Sequence, residues 1–124
     1  RQADLIVYNP RNSQTGVFWR RPASKWKTHF NTVLTMAQAQ SDSLAMYAKY
    51  LPTNGYLVYW TQSVTVEENE LILERFLKQH PEFTLMSTSP YLGVAGFRGQ
   101  STCQRLYPHL HAADGSFFAK LQKQ

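Results

Sequence analysis

The chain has 124 residues, 43% of them hydrophobic and 17% charged, with a formal net charge of +5. That length supports one domain with a modest core, and that composition excludes a disordered chain. No apolar run is long enough to cross a bilayer, and the single cysteine, Cys103, excludes an internal disulfide and a multi-cysteine zinc site.

The first residue is Arg1 rather than Met and no secretory pattern follows, so the chain reads as a fragment or processed product with an intracellular location. Residues 4–9, DLIVYN, form a short β-rich run ending at Pro10, expected as a strand buried on both faces. A loop runs from Pro10 to about Lys27, marked by Asn12, Ser13, Gly16 and Pro22. From Thr28 to Leu51, Phe30, Val33, Leu34, Ala37, Leu44 and Ala48 recur at helical spacing; Thr28 is the expected N-cap, and Pro52 with Asn54-Gly55 stops the helix. GYLVYWT at 55–61 is a second strand. Thr65, with Glu68 three residues on, predicts a capping box opening a second helix, whose stripe is Ile72, Leu73, Phe76 and Leu77. His80-Pro81 ends it, FTLMST at 83–88 is a third strand, and SFFAKL at 116–121 closes the chain after a loop holding Gly93, Gly96 and Gly99. Strands alternating with helices predict an α/β layer with a mainly parallel sheet, the last strand returning antiparallel.

The charge is uneven. Residues 1–60 carry seven Lys/Arg against two Asp, whereas 61–124 balance six against six. Arg11, Arg20, Arg21, Lys25 and Lys27 have no acid between them, and Phe18, Trp19, Trp26 and Phe30 lie among them. Cations beside flat rings suit phosphates and unstacked bases; the plain alternative is a solvated loop whose aromatics pack inward. Glu67, Glu68, Glu70 and Glu74 are expected on the solvated face of the second helix. His109, His111 and Asp114 are too few for a convincing metal site.

Three stretches carry more than composition: DLIVYNPRNSQTGVFWRRPASKW at 4–26, GYLVYWTQSVTVEENELILERFLKQHPEFTL at 55–85 and RLYPHLHAADGSFFAKL at 105–121. Together they resemble the NOP2/Sun (RsmB-like) family of RNA cytosine-C5 methyltransferases, and Gln40 keeps the family's spacing before Gly55. The resemblance covers nearly the whole chain. It implies the C-terminal half of a class I, Rossmann-like methyltransferase fold, with residues 1–124 as one partial domain lacking the donor-binding N-terminal half.

The family's chemistry moves a methyl group from S-adenosylmethionine to C5 of cytosine in RNA. A thiolate from the family's TCS motif adds to C6 and makes the ring enamine-like. A second cysteine, in the PCS motif, assists release, and the aspartate of that motif hydrogen-bonds the base. Here the first motif reads Thr61-Gln62-Ser63 and the second Tyr8-Asn9-Pro10-Arg11-Asn12, with one extra residue, Ser13, before Thr15-Gly16. The resemblance thus places Gln62 and Arg11 where the family has its thiols, and Tyr8 where it has its carboxylate. Cys103 lies in another loop and reads as an ordinary buried or surface cysteine rather than a relocated nucleophile.

No catalytic residue is therefore expected. No cofactor is expected either, because no G-x-G turn occurs; S-adenosylmethionine would require another chain to complete its site. The expected role is a catalytically degenerate homologue acting as an RNA-binding or structural component of a ribonucleoprotein. The alternatives are one subunit of a split rRNA or tRNA methyltransferase, and a protein-interaction domain with no RNA role. The RNA-contact candidates are Arg20, Arg21, Lys25, Trp26 and Lys27, which match the family's RRNPxxKW loop, with Arg98, Arg105 and His109. In the family the strand matching 4–9 is interior, so a protein partner or a second copy is expected to complete the sheet there.

Overall fold

The computed structural model describes residues 3–17, 30–111 and 114–124. The elements are β1 (Leu5–Tyr8), a 3-10 turn (Thr15–Val17), α1 (Phe30–Ala48), β2 (Tyr56–Thr61), α2 (Glu70–Gln79), β3 (Phe83–Met86), β4 (Val94–Ala95), β5 (Gln104–Leu106), α3 (Pro108–His111) and β6 (Ser116–Lys123). The expected N-cap Thr28 lies outside the described residues.

The sheet is mixed, as expected. β1 and β2 pair parallel, while β6 runs antiparallel to β2 along one side. On its other side β6 takes β3 and β5 end to end, pairing its residues 120–123 with Phe83–Met86 and 116–118 with Gln104–Leu106, both antiparallel. β1, β2, β3 and β5 therefore share one direction, and β6 and β4 run against them. The two-residue β4 and the short β5 escape a sequence reading because neither has an alternating apolar pattern.

Period-two alternation decides which side chains enter the core. Leu57 and Tyr59 of β2, with Phe117, Ala119 and Leu121 of β6, are buried and meet Leu44 and Ala48 of α1 and Ile72, Leu73 and Phe76 of α2. The apolar stripe predicted for α2 thus faces the sheet, with Leu77 packed at its margin. On the opposite face stand Leu5 and Val7, which are 56% and 63% exposed. The expectation that β1 is buried on both faces is corrected here. β1 is the terminal strand, with β2 as its neighbour on one side, and only Ile6 and Tyr8 pack against the core. Among the described residues no helix is long and apolar enough to cross a membrane.

The acidic run after β2 also departs from expectation. α2 begins at Glu70 rather than Thr65, and its N-cap residue Asn69 makes no side-chain capping bond. Glu68 does not reach back to the Thr65 N–H; it turns inward, and both Glu68 and Glu70 are fully buried. Glu70 receives the guanidinium of Arg105, which is itself fully buried, through Nε at 2.6 Å and through Nη2, and accepts the Phe97 N–H at 2.9 Å. Arg105 Nη1 also donates to the Val64 carbonyl at 2.8 Å. A charge this deep is tolerable only with its partner in place. Replacing Glu70 by Ala should destabilise the domain by about 3–5 kcal/mol, because Arg105 would be left buried and uncompensated. Urea midpoints of the variant and parent check this, and a shift within experimental error would show that the pair is not holding the β4–β5 hairpin to α2.

Candidate functional site: a polar cleft behind a buried carboxylate

The loop after β1 and the turn after β2 lie at the same end of two parallel strands, so the topology brings them together. Between them is a cleft of ≈ 470 Å³ lined by Asn9, Pro10, Arg11, Asn12, Gln14, Met36 and Gln62. Arg11 and Gln62, separated by fifty residues of chain, share its wall. The side chains of Asn9, Arg11 and Gln62 make no hydrogen bond among the described residues, so their polar heads are available to a ligand. Tyr8 is not part of the lining. Its ring sits 5.1 Å from that of Tyr47 and 6.1 Å from that of Tyr59, on the core side of the strand, where burial pushes its phenol pKa up.

The loop is fixed from behind. Asn12 makes a local turn, its Nδ2 donating to the Pro10 carbonyl at 2.9 Å and its Oδ1 accepting the Gln14 N–H at 2.9 Å. The Gly16 N–H donates to the Gln62 carbonyl at 2.8 Å, and the Gly115 N–H donates to the Gly16 carbonyl at 2.7 Å. A Cβ on Gly16 would lie 2.0 Å from the Gly115 oxygen and 2.6 Å from the Gln62 oxygen, so only glycine fits between these two backbones. Thr15 Oγ1 accepts the Val64 N–H at 2.9 Å and pairs with Ser63 Oγ at 3.1 Å.

At the centre of this contact is the Glu68 carboxylate. It accepts from the Ser13 N–H at 2.8 Å, from Ser13 Oγ at 2.6 Å, from Thr65 Oγ1 at 2.8 Å, from Gln40 Nε2 at 3.3 Å and from Ser63 Oγ. Gln40 Nε2 donates as well to the Arg11 carbonyl at 2.9 Å. Sequence reasoning missed Glu68 and Gln40 as parts of this site. The available signals were an acid adjacent to a helix start and a glutamine amid apolar positions, and both read equally well as surface.

The expected RNA contacts divide three ways. Arg20, Arg21, Lys25, Trp26 and Lys27 lie outside the described residues. Arg98 and His109 are exposed, with the Arg98 guanidinium held by Glu74 through Nε and, at 3.1 Å, through Nη2. Arg105 is a correction: burial against Glu70 leaves it no surface to offer a phosphate. His111 Nδ1 accepts the Tyr107 N–H at 2.9 Å, so that ring serves the turn before α3.

Cys103 is buried, with its thiol 3.7 Å from Gln100 Oε1, and burial, reinforced by the Glu70 carboxylate, pushes its pKa up to about 12. A thiol held protonated and out of water is not a nucleophile.

Two outcomes follow from this geometry. Gly16→Ala should cost about 3 kcal/mol, the upper end for overpacking, and a thermal melt of the variant measures it. Cys103 should resist a thiol reagent at pH 8 in the native protein and react fully in denaturant. Because its folded pKa lies above its unfolded value, its contribution to stability is complete below about pH 9 and is lost as pH rises toward 12. Reaction at the rate of a free thiol under native conditions would contradict this placement.

A family model described as 16S rRNA methyltransferase RsmB/F matches residues 2–122. The ribosomal RNA small subunit methyltransferases B of Yersinia pseudotuberculosis and Yersinia pestis are 34% identical to the chain over 123 residues, which is 99% of the chain and 27% of each relative. The chain thus spans about a quarter of the length of these relatives. Among solved structures, PH0851 superposes with a TM-score of 0.91 at 33% identity, covering 98% of this chain and 27% of that one. NSun6 from Pyrococcus horikoshii with SFG superposes with a TM-score of 0.87 at 31% identity, covering 98% and 30%. The family model spans nearly the whole chain, and the chain belongs to the RsmB/F family of 16S rRNA methyltransferases.

Proposed function

We infer that this chain is a catalytically degenerate member of its family, acting as an RNA-binding or structural component of a ribonucleoprotein. The observation that carries this reading is the pairing of Arg11 and Gln62 across one cleft. These are the two positions that the family resemblance gives to thiols, and neither side chain can add to C6 of a cytosine. The one cysteine is buried, protonated and in a different loop. What the cleft offers instead is the Arg11 guanidinium and the side-chain amides of Asn9, Gln14 and Gln62, groups that hold a nucleotide without forming a covalent bond to it.

The methyl donor does not fit the described residues by themselves. Class I sites cradle it with a glycine-rich turn after one strand and a free acid after another. Here β1 runs into Asn9, Pro10 and Arg11 with no glycine-rich turn; of the acids that follow β2, Glu68 and Glu70 are buried and engaged, and Glu67 lines a different groove, with Leu34 and Arg75 rather than with the cleft. No step of a reaction is assigned to that cofactor. On this reading the RNA surface comprises Arg11 at the cleft with Arg98 and His109, and it extends to Arg20, Arg21, Lys25, Trp26 and Lys27.

A second reading, in which another polypeptide completes a split rRNA or tRNA methyltransferase and supplies the donor site, is favoured by the state of β1. Leu5 and Val7 are exposed on a terminal strand that carries no Lys, no Pro and no charge after Asp4. Such an edge lacks the devices that protect against further pairing. A partner chain adding strands there, or a second copy, would bury it.

Incubation with labelled S-adenosylmethionine and structured RNA should give no incorporation at cytosine C5, and Gln62→Cys alone should not restore it. RNA affinity should fall steeply with salt, each phosphate contact adding roughly 0.7–0.9 to the log–log slope, and changing Arg20, Arg21, Lys25 and Lys27 to Ala should flatten that slope. Methyl transfer by the chain alone would overturn the first reading. Methyl transfer only with a second chain, accompanied by protection of the 5–8 amides from exchange, would establish the second.

A further inference from the structure

We propose that Glu68 is the positioning residue of the cleft: its buried carboxylate locks the Arg11–Gln14 loop onto the turn after β2 and so fixes where Asn9, Arg11 and Gln62 stand. The carboxylate is fully buried, and every partner it has among the described residues is a neutral donor. Those donors come from three separate parts of the chain: Ser13 in the loop, Ser63 and Thr65 in the turn, and Gln40 in α1. Ser13 is 55 residues from Glu68 in sequence, so the loop is held by a tertiary contact rather than by its own turn chemistry. Gln40 closes the arrangement, since the same Nε2 reaches both Glu68 Oε1 and the Arg11 carbonyl.

The cleft cannot hold itself. The heads of Asn9, Arg11 and Gln62 make no hydrogen bond among the described residues, so their placement depends on the backbone behind them. The backbone bonds of Gly16 anchor the loop's far end, but between Asn9 and Gln14 the anchors that cross to other elements are the bonds to Glu68 and Gln40. A neutral amide replaces the carboxylate only in part. A glutamine can keep its carbonyl oxygen toward the Ser13 N–H and Gln40 Nε2, which share Oε1. Its two N–H groups would meet three hydroxyls, those of Ser13, Ser63 and Thr65, that converge on Oε2, so one hydroxyl loses its partner and every remaining bond loses its charge.

The functional half of this proposal rests on the reading of the cleft as an RNA contact, so the experiment separates the two. Glu68→Gln and Arg11→Ala are compared with the parent by amide hydrogen exchange and by titration with one labelled structured RNA at several salt concentrations. In Glu68→Gln the Ser13 amide should exchange about tenfold faster relative to the amides of β2, the size expected when hydrogen bonds to a charged acceptor become bonds to a neutral one. Its RNA affinity should fall about fivefold with an unchanged salt slope, because a loop competent only part of the time dilutes affinity without removing a phosphate contact. Arg11→Ala should do the reverse, lowering the slope by about 0.7 while leaving loop exchange at the parental rate.

Unchanged Ser13 exchange in a folded Glu68→Gln protein would overturn the proposal. So would faster exchange with undiminished RNA affinity where Arg11→Ala does weaken binding, since the lock would then position nothing. If exchange rises but neither variant alters RNA affinity, the lock stands and the RNA reading of the cleft fails. Should Glu68→Gln not fold, Ser13→Ala and Thr65→Val each remove a single hydroxyl donor and leave the carboxylate in place. Exchange of the amide at residue 13 should then rise severalfold in both, and parental rates in both would equally overturn the assignment.

Discussion

A carboxylate taken out of water must regain, from charge or from hydrogen bonds, what solvation gave it. Two carboxylates two positions apart meet that demand in different ways here, and the arrangement of the loops follows from how they do so. Glu70 takes a guanidinium and thereby binds the β4–β5 hairpin to α2. Glu68 takes only neutral donors and gathers the loop after β1, the turn after β2 and α1. Asn69 between them accepts from Thr61 Oγ1 at 2.6 Å and donates to the Ser63 carbonyl at 2.9 Å, so three consecutive polar residues organise one end of the sheet. The desolvation these groups suffer makes each contact obligatory rather than helpful.

Much of the fold was legible because it obeys simple periods. The alternation in GYLVYWT and SFFAKL predicts β2 and β6, and the stripe Ile72, Leu73, Phe76 and Leu77 predicts the face α2 turns to the sheet. The antiparallel return of the last strand was also readable, from the missing crossover helix. What was not legible is polar burial. Glu68, Glu70, Arg105 and Gln104 are residues whose hydrophobicity argues for the surface, and the partners that tie them to other elements lie 11 to 55 residues away. No local pattern announces such a pairing, because it exists only once the sheet has assembled. The same limit applies to the site: Arg11 and Gln62 could be set beside a family motif, but the carboxylate standing behind both could not.

The two faces of the sheet have different chemistry. The core face closes over Leu57, Tyr59 and Phe117 with two helices and is complete. On the other face Trp60 and Phe118 stack with centroids 5.9 Å apart and planes 3° apart, and the Trp60 indole N–H is buried with no acceptor among the described residues. A groove of ≈ 380 Å³ nearby is lined by Val58, Pro90, Leu92, Leu106 and Phe118 among others. An apolar face beside an unpaired strand edge has the character of an internal surface, whereas the cleft at the strand ends has the character of an external one.

The position of β6 has a consequence for how the molecule comes into being. It is the strand that β2, β3 and β5 all pair with, and it follows every one of them in the chain. During synthesis the earlier strands emerge with their shared partner still unmade, so the sheet can close only after residues 116–123 have left the ribosome. Until then β2 has β1 on one side only and β3, with Leu85, has no strand to zip against, the condition under which nascent chains call on holding chaperones.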